Sequence, residues 1–355
     1  MIYQTSIPDC WNYLDRLLDF QEQLLQFCAN NQSYDATELR NYLGAEVFEW
    51  LNTSPTRQRI LDHLKTYIKQ EEKIKVQVLE EFRQDRRFPE RITDSAYHLR
   101  LMNGQFPLLK NLQRMLINFY EQLKDSGYPS HLCGCSNDHF TANDWWAGFQ
   151  ANNPQFLTCP MCDATLSGGK SIEHFFPKGT YFAMSVHPFN LIPCCKGCNN
   201  EVKGEKDPFN GFQITQMNIP YQHAITQDAN LTFHEDYNGN DIAEFQPKSP
   251  DPTITMRIRN LEYLFRIPSR WNENIPEISS IAIKELCAQI GFYTENGEEL
   301  SEDLIRRGIQ RTIRRLHKDW GKFHFLFPAT EWLRYAGEKK FDYLSREVTR
   351  QLSNM

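Results

Sequence analysis

Two Cys-x-x-Cys pairs constrain this chain more than any other feature. Cys159-Pro-Met-Cys162 and Cys195-Lys-Gly-Cys198 lie some thirty residues apart. A tight turn inside each pair lets both sulfurs face one ion, and two such pairs complete a closed tetrahedral four-cysteine site of the zinc type. The intervening chain must therefore fold back on itself, so that its two ends meet at the metal. It is rich in chemistry: Ser171-Ile-Glu-His-Phe-Phe-Pro-Lys178, then Pro188-Phe-Asn-Leu-Ile192, and after the second pair Asn199-Asn-Glu-Val-Lys203-Gly204.

Hydrolysis of a phosphodiester needs a cation to neutralise developing charge and a base that makes hydroxide near neutral pH. His174 suits the base, since an imidazole titrates there. Glu173 is a hard-cation ligand, and an Asn side-chain oxygen is a second that adds no charge. Adjacent strand residues face opposite ways, so Glu173 and His174 serve one centre only where a strand ends; Pro177 suggests such an end. Lys203 offers a point charge for a phosphate oxygen. Asn190 reads more readily as a residue that pins its loop through backbone hydrogen bonds than as a metal ligand. His187 reads as a surface loop histidine, and Cys194 as a buried neighbour of the metal ligands. His131, Cys133, Cys135 and His139 offer a second set of ligands, but a lone Cys-x-Cys lacks the partner pair of a closed site.

In order and spacing, Glu173-His174, Asn190, Cys195-x-x-Cys198-Asn199 and Lys203 resemble the HNH (ββα-metal) endonucleases, in the form stapled by a four-cysteine zinc. The resemblance covers roughly residues 155–210. It implies a small ββα module, a structural Zn²⁺ on Cys159, Cys162, Cys195 and Cys198, and a catalytic Mg²⁺ or Mn²⁺ on Glu173 and Asn199. Catalytic roles fall to His174, Glu173, Asn190, Asn199 and Lys203. Glu173 stands where Asp is commoner and Asn199 where His is frequent. The step from Asn199 to Lys203 is one residue longer than usual, so Asn200 competes with Asn199 as metal ligand. The run CNNEVKGEKDPF and its helical flanks look most like the HNH components of bacterial anti-phage systems of the Septu type, in which an ATPase subunit partners the nuclease. The implied function is hydrolysis of nucleic acid, DNA favoured over RNA, in a bacterial cytoplasm. A zinc-stapled scaffold binding nucleic acid or protein without catalysis is the alternative.

The rest of the chain reads as mainly α, α+β overall. Residues 1–125 form a helical region, with stripes at Leu14, Leu17, Leu18, Leu24, Leu25 and Cys28, and at Leu108, Leu112, Met115, Leu116, Phe119 and Leu123. Residues 126–210 hold the HNH module, and 211–355 a mostly helical region that begins with loops and short strands to about 255. Pro276 suits a first helical turn and Gly291 a stop; Ser301 caps a further helix. On that helix Arg307, Arg311, Arg314, Arg315, Lys318 and Lys322 line one side, read equally as a solvated face or a phosphate contact.

The 355 residues carry a formal net charge of −6, unusual for a protein that grips nucleic acid alone. Within 159–206, Lys170, Lys178, Lys196, Lys203 and Lys206 nearly balance Asp163, Glu173, Glu201 and Glu205. Phosphate affinity comes mostly from clustered cations, so a protein partner or an oligomer is expected to help. No apolar run approaches membrane-spanning length, the opening lacks a secretory signal, and the scattered cysteines suit a reducing compartment.

Overall fold

A computed structural model describes residues 1–102, 109–166 and 169–354. Leu108 of the second predicted stripe lies outside them. The chain opens with α1 (Trp11–Asn30), α2 (Ala36–Leu43), α3 (Ala45–Asn52), α4 (Pro55–Tyr67), α5 (Glu72–Arg86) and α6 (Lys110–Asp125). The predicted stripes bury as expected: Leu14, Leu17, Leu18, Leu24 and Leu25 of α1 meet Leu112, Met115, Leu116, Phe119 and Leu123 of α6 in one core. The charged stretch after residue 57 is two helices. Lys75 is buried in the second of them, its Nζ 3.0 Å from the Ile68 carbonyl that ends the first.

A short antiparallel pair, β1 (Tyr128–Pro129) and β2 (His139–Phe140), brackets α7 (Ser130–Cys133) and leads to α8 (Ala142–Asn152). Thr141 and Asp144 cap α8 reciprocally, each side chain accepting the other's backbone N–H, an arrangement that satisfies two orphan donors at once. Then come β3 (Lys170–His174) and β4 (Leu191–Cys195), antiparallel, with Glu173 opposite Ile192 and His174 opposite Leu191. β4 runs into a π-helix, Gly197–Lys203.

The remainder comprises α9 (Ile225–Asp228), the hairpin β5 (Ala229–Glu235) and β6 (Asp241–Pro247), then α10 (Pro252–Phe265), α11 (Ser269–Asn272), α12 (Ile275–Glu295), α13 (Glu302–Lys318), α14 (Leu326–Lys339) and α15 (Phe341–Leu352). Among the described residues, three two-stranded sheets in a mainly helical chain make it α+β. Ser301 caps α13 by accepting from Leu304 N. Gly291, expected as a stop, stays helical. The helix ends four residues later, where Gly297 takes φ +89°, a conformation open to glycine at no steric cost. Met1–Tyr3, the cysteine-bearing segment, the β5–β6 hairpin and α10–α15 share a second core. No helix among the described residues is long and apolar enough to cross a membrane.

Candidate active site and metal centre

The four cysteines expected to share an ion do converge. The Sγ atoms of Cys159, Cys162, Cys195 and Cys198 all lie within 4.8 Å of one another, and all four residues are buried. Cys159 and Cys198 are 3.9 Å apart, Cys162 and Cys195 3.8 Å. Tetrahedral Zn–S bonds of about 2.3 Å place sulfurs about 3.8 Å apart, so the cluster fits a structural metal such as zinc. The first pair turns through Asp163, which adopts φ +60° and donates its N–H to Cys159 O. Its carboxylate, buried, accepts from Thr158 Oγ1 at 2.9 Å and Phe327 N at 3.0 Å, fastening the turn to α14.

Further donors surround the sulfurs. Cys195 N and Cys198 N point at Cys159 Sγ and Cys195 Sγ, each at 3.4 Å. Arg270 Nη1 lies 3.2 Å from Cys198 Sγ, and Trp271 Nε1 donates to Cys162 O at 3.1 Å. Four thiolates on one dication leave a net negative charge, which a guanidinium within hydrogen-bonding reach offsets. Arg270 and Trp271 sit more than seventy residues beyond the cysteines, and no local pattern announces them.

Beside this cluster lies a cavity of about 920 Å³, lined among others by Glu173, His174, Asn199, Asn200, Ser171 and Lys178. The end of β3 thus brings Glu173 and His174 to one centre. His174 Nε2 is 2.9 Å from Ser185 O. A carbonyl only accepts, so Nε2 carries the proton and Nδ1 keeps its lone pair. Ser185 is itself fixed, its hydroxyl donating to Leu116 O of α6 at 2.7 Å. The imidazole meets the Tyr120 ring edge-on, centroids 4.3 Å apart. Burial, with Lys178 nearby, lowers the His174 pKa to about 3, so the ring is neutral at ordinary pH.

Glu173 is 3% exposed and its Oε1 pairs with Lys203 Nζ at 2.7 Å. Its Oε2 is buried with no hydrogen-bond partner. Burial raises the carboxyl to about 7 against the opposing pull of Lys203. The role expected for Lys203 needs correcting. Its side chain is fully buried, and the ammonium also donates to His174 O at 2.8 Å. It is spent inside the protein and holds the Glu173–His174 backbone instead of reaching for a phosphate. The cations that do line the cavity are Lys124, Lys170 and Lys178.

The two asparagines after Cys198 separate clearly. Asn199 is half-buried, its Nδ2 donating to Ser171 Oγ and to Ile172 O at 3.1 Å, which leaves Oδ1 as its unengaged atom. Asn200 is exposed on the cavity rim. The additional residue between Asn199 and Lys203 is absorbed by π winding: Gly204 N bonds Asn199 O, five residues back, at 2.9 Å. A π turn takes in one residue more than an α turn, so Asn199 and Lys203 both still face β3.

Asn190 is fully buried and acts as a pin. It accepts from Phe176 N at 2.7 Å and donates to Phe176 O and Met184 O. His187 is not a surface residue: it is 2% exposed, with Nε2 3.0 Å from Arg86 O and Nδ1 accepting from Phe189 N. Cys194 is buried without joining the sulfur cluster. Cys133 and Cys135 lie 3.2 Å apart. His131 turns away to Glu46, and among the described residues the four-cysteine cluster is the one group with metal-site geometry. The cationic side of α13 is largely engaged: Arg307 with Asp303 and Glu298, Arg315 with Glu285, Arg311 with Tyr293.

What sequence reasoning missed is the rest of the cavity lining. α6 supplies Tyr120 and Lys124, and α8 supplies Asn143, Trp146, Ala147 and Gln150. The signal that could have found the α8 residues is their spacing, three or four apart on one helix face.

Comparison with known proteins gives one relationship. Over 149 residues, 42% of this chain, it is 27% identical to protein Ea31 of Escherichia phage lambda. The matched stretch spans 44% of that phage protein's length, so the chain covers less than half of it. No protein-family model matches, and no solved structure does.

Proposed function

We propose that this chain is a metal-dependent endonuclease of the HNH type, hydrolysing nucleic-acid phosphodiesters, with DNA the favoured substrate. The observation that carries the reading is the convergence of His174 and Glu173 on one cavity, beside the four-cysteine cluster that staples their hairpin. In this reading Zn²⁺ occupies the cysteines and has no chemical role beyond holding β4 and the π-helix in place. His174 accepts a proton from water at Nδ1, the nitrogen that Ser185 leaves unprotonated. Burial keeps that nitrogen unprotonated near pH 7 and also weakens it as a base, so the proposed hydrolysis relies on a bound cation that would acidify the attacking water. Glu173 Oε2 and Asn199 Oδ1 are hard oxygen donors with no partner among the described residues, and they fit Mg²⁺ or Mn²⁺, which demands few protein ligands. When bound, such an ion neutralises charge on the scissile phosphate. Lys203 fixes Glu173 by its other oxygen, so Oε2 is the single carboxylate atom presented.

The Lys203–Glu173 pair also favours a second reading. It is a buried internal ion pair through Glu173 Oε1, as a scaffold without catalysis could also have. The deciding experiment incubates purified chain with supercoiled plasmid and single-stranded DNA or RNA, with Mg²⁺, Mn²⁺ or EDTA. Metal-dependent strand cleavage that disappears in His174→Ala, with fold and zinc content unchanged, is the expected result. No cleavage of any substrate under saturating Mn²⁺ would leave the scaffold.

By resemblance we further propose a role as the nuclease component of a bacterial anti-phage complex, with an ATPase subunit as partner. The net charge of −6 supports dependence on a partner for substrate grip.

A further inference from the structure

We infer that the cavity in front of His174 admits an unpaired nucleotide, its base laid against α8 and its phosphates on the lysine rim. The substrate class is single-stranded nucleic acid, or the single-stranded part of a larger one. This rests on the hydrolytic reading above and names the substrate for it.

The two walls of the cavity differ in kind. One holds Glu173, His174 and Asn199, with Lys124 and Lys178 beside them. Lys178 stands 4.4 Å over the Tyr120 ring. Both lysines pair with Glu121, Lys178 Nζ at 2.5 Å and Lys124 Nζ at 3.6 Å, so a phosphate here would exchange with that carboxylate. The other wall is α8, which carries no lysine or arginine in its eleven residues. It offers Asn143, Trp146, Ala147 and Gln150. A surface that grips only backbone has no need of two amides and an indole, whereas bases are read by amides at their edges and by aromatics on their faces.

Lys170 marks where the two walls meet. Its Nζ lies 5.3 Å from the Trp146 ring and 3.4 Å from Gln150 Oε1. In the free protein a cation covers the indole at the place a base would stack, and a phosphate on the rim gives that cation a better partner. Trp146 is 7% exposed, and its Nε1 is buried without an acceptor. A buried donor left unpaired carries a desolvation penalty, so the native packing does not saturate this residue.

Volume points the same way. About 920 Å³ is at the upper end of the range for small-ligand clefts and cavities, about 300–1,000 Å³. A phosphate at His174 places its neighbouring base within the same cavity as α8. In a duplex that base is stacked and paired and shows only an edge in a groove. To meet Trp146 it must be unpaired, as in enzymes and binding proteins that take bases out of the stack.

The test uses full-length His174→Ala, loaded with zinc, and fluorescence anisotropy with a short labelled oligonucleotide as single-stranded DNA, as RNA and as blunt duplex. Either single strand should bind at least about tenfold tighter than duplex, and the tighter of the two identifies the sugar. Stacking on an aromatic makes Trp146→Ala weaken single-strand binding about five- to 150-fold, with Trp146→Phe retaining most of it. To keep the test independent of whether Trp146→Ala folds, exposed Asn143 and half-buried Gln150 are also changed together to Ala; single-strand affinity should fall severalfold and duplex affinity stay fixed. Lys124→Gln should lower the salt slope by about 0.7. Equal or tighter duplex binding, or unchanged affinity in both α8 variants, overturns the inference. If the parent protein cleaves duplex with Mn²⁺ yet shows no single-strand preference, the inference fails and the hydrolytic reading stands. Single-strand preference with no cleavage anywhere overturns the hydrolytic reading instead.

Discussion

Lys203 is the residue whose environment departs most from its expected role, and its burial makes a sharp prediction. Removing one partner of a buried ion pair leaves the other charge uncompensated and costs about 3–5 kcal/mol. Lys203→Met should therefore lower unfolding free energy by about that much in denaturant titrations, and Glu173→Gln/Lys203→Met should recover most of it. A single variant as stable as the parent would show that the pair carries no such weight. The buried histidines predict the response to acid. Burial lowers the His187 pKa to about 4, below its ordinary 6.5, so the unfolded chain binds the proton more readily than the folded one. The stability this neutral ring contributes is complete above pH 6.5 and is lost as pH falls from there toward 4, by about 1.4 kcal/mol per unit. Metal loss also destabilises in acid, so the clean measurement is the difference between parent and His187→Gln, whose stability should fall less steeply between pH 6.5 and about 5. Parallel slopes would count against it.

At the scale of elements, the four-cysteine cluster gathers β4, the π-helix and the Cys159–Cys162 turn at one point that fits a structural metal such as zinc. Replacing one ligand, as in Cys162→Ser or Cys198→Ser, should release the ion and unfold this segment, because small metal sites seldom hold structure empty. Metal analysis should give about one zinc per parent chain and much less in either variant; near-stoichiometric zinc in Cys198→Ser would reject the four-cysteine site. The reach of local sequence is visible here. Cys159, Cys162, Cys195 and Cys198 announce their cluster because thiolate spacing alone nearly fixes the geometry. Glu173 and His174 announce their juncture because Pro177 ends the strand. The π winding is legible only as a spacing one residue too long. Lys203 is misplaced by sequence reasoning because a sequence shows a charge but not its depth. Tyr120 and Arg270 stay hidden, since each reaches the site through tertiary packing that no pattern of period 2 or 3.6 encodes, while the spacing around Trp146 shows a helix face but not the cavity it lines.

For the whole molecule, net charge and the occupied face of α13 bear on how substrate is held. Arg307, Arg311 and Arg315 are tied to neighbouring groups, and of the cavity lysines Lys124 and Lys178 both pair with Glu121, so the cations nearest the site are already partly offset. The isolated chain should therefore cleave slowly. Its activity should fall steeply between low and physiological salt, since each neutralised phosphate adds to the salt slope. A partner complex should raise the rate and flatten that slope. Fast cleavage indifferent to salt would overturn this picture of dependence.

One helix has hold of the proposed base from three directions. Leu116 O of α6 secures the serine that sets the imidazole's proton, Tyr120 abuts the ring, and Lys124 stands at the entrance. A shift of the helix would alter these duties together, because all three groups stand on α6, seated in the first core by Met115 and Phe119. A cavity opened beneath it, as by Phe119→Ala, would tilt the helix and spoil proton, ring and doorway together. Turnover would then report on packing in a region that touches no substrate, and a docked subunit that nudged those helices would find the throttle already connected.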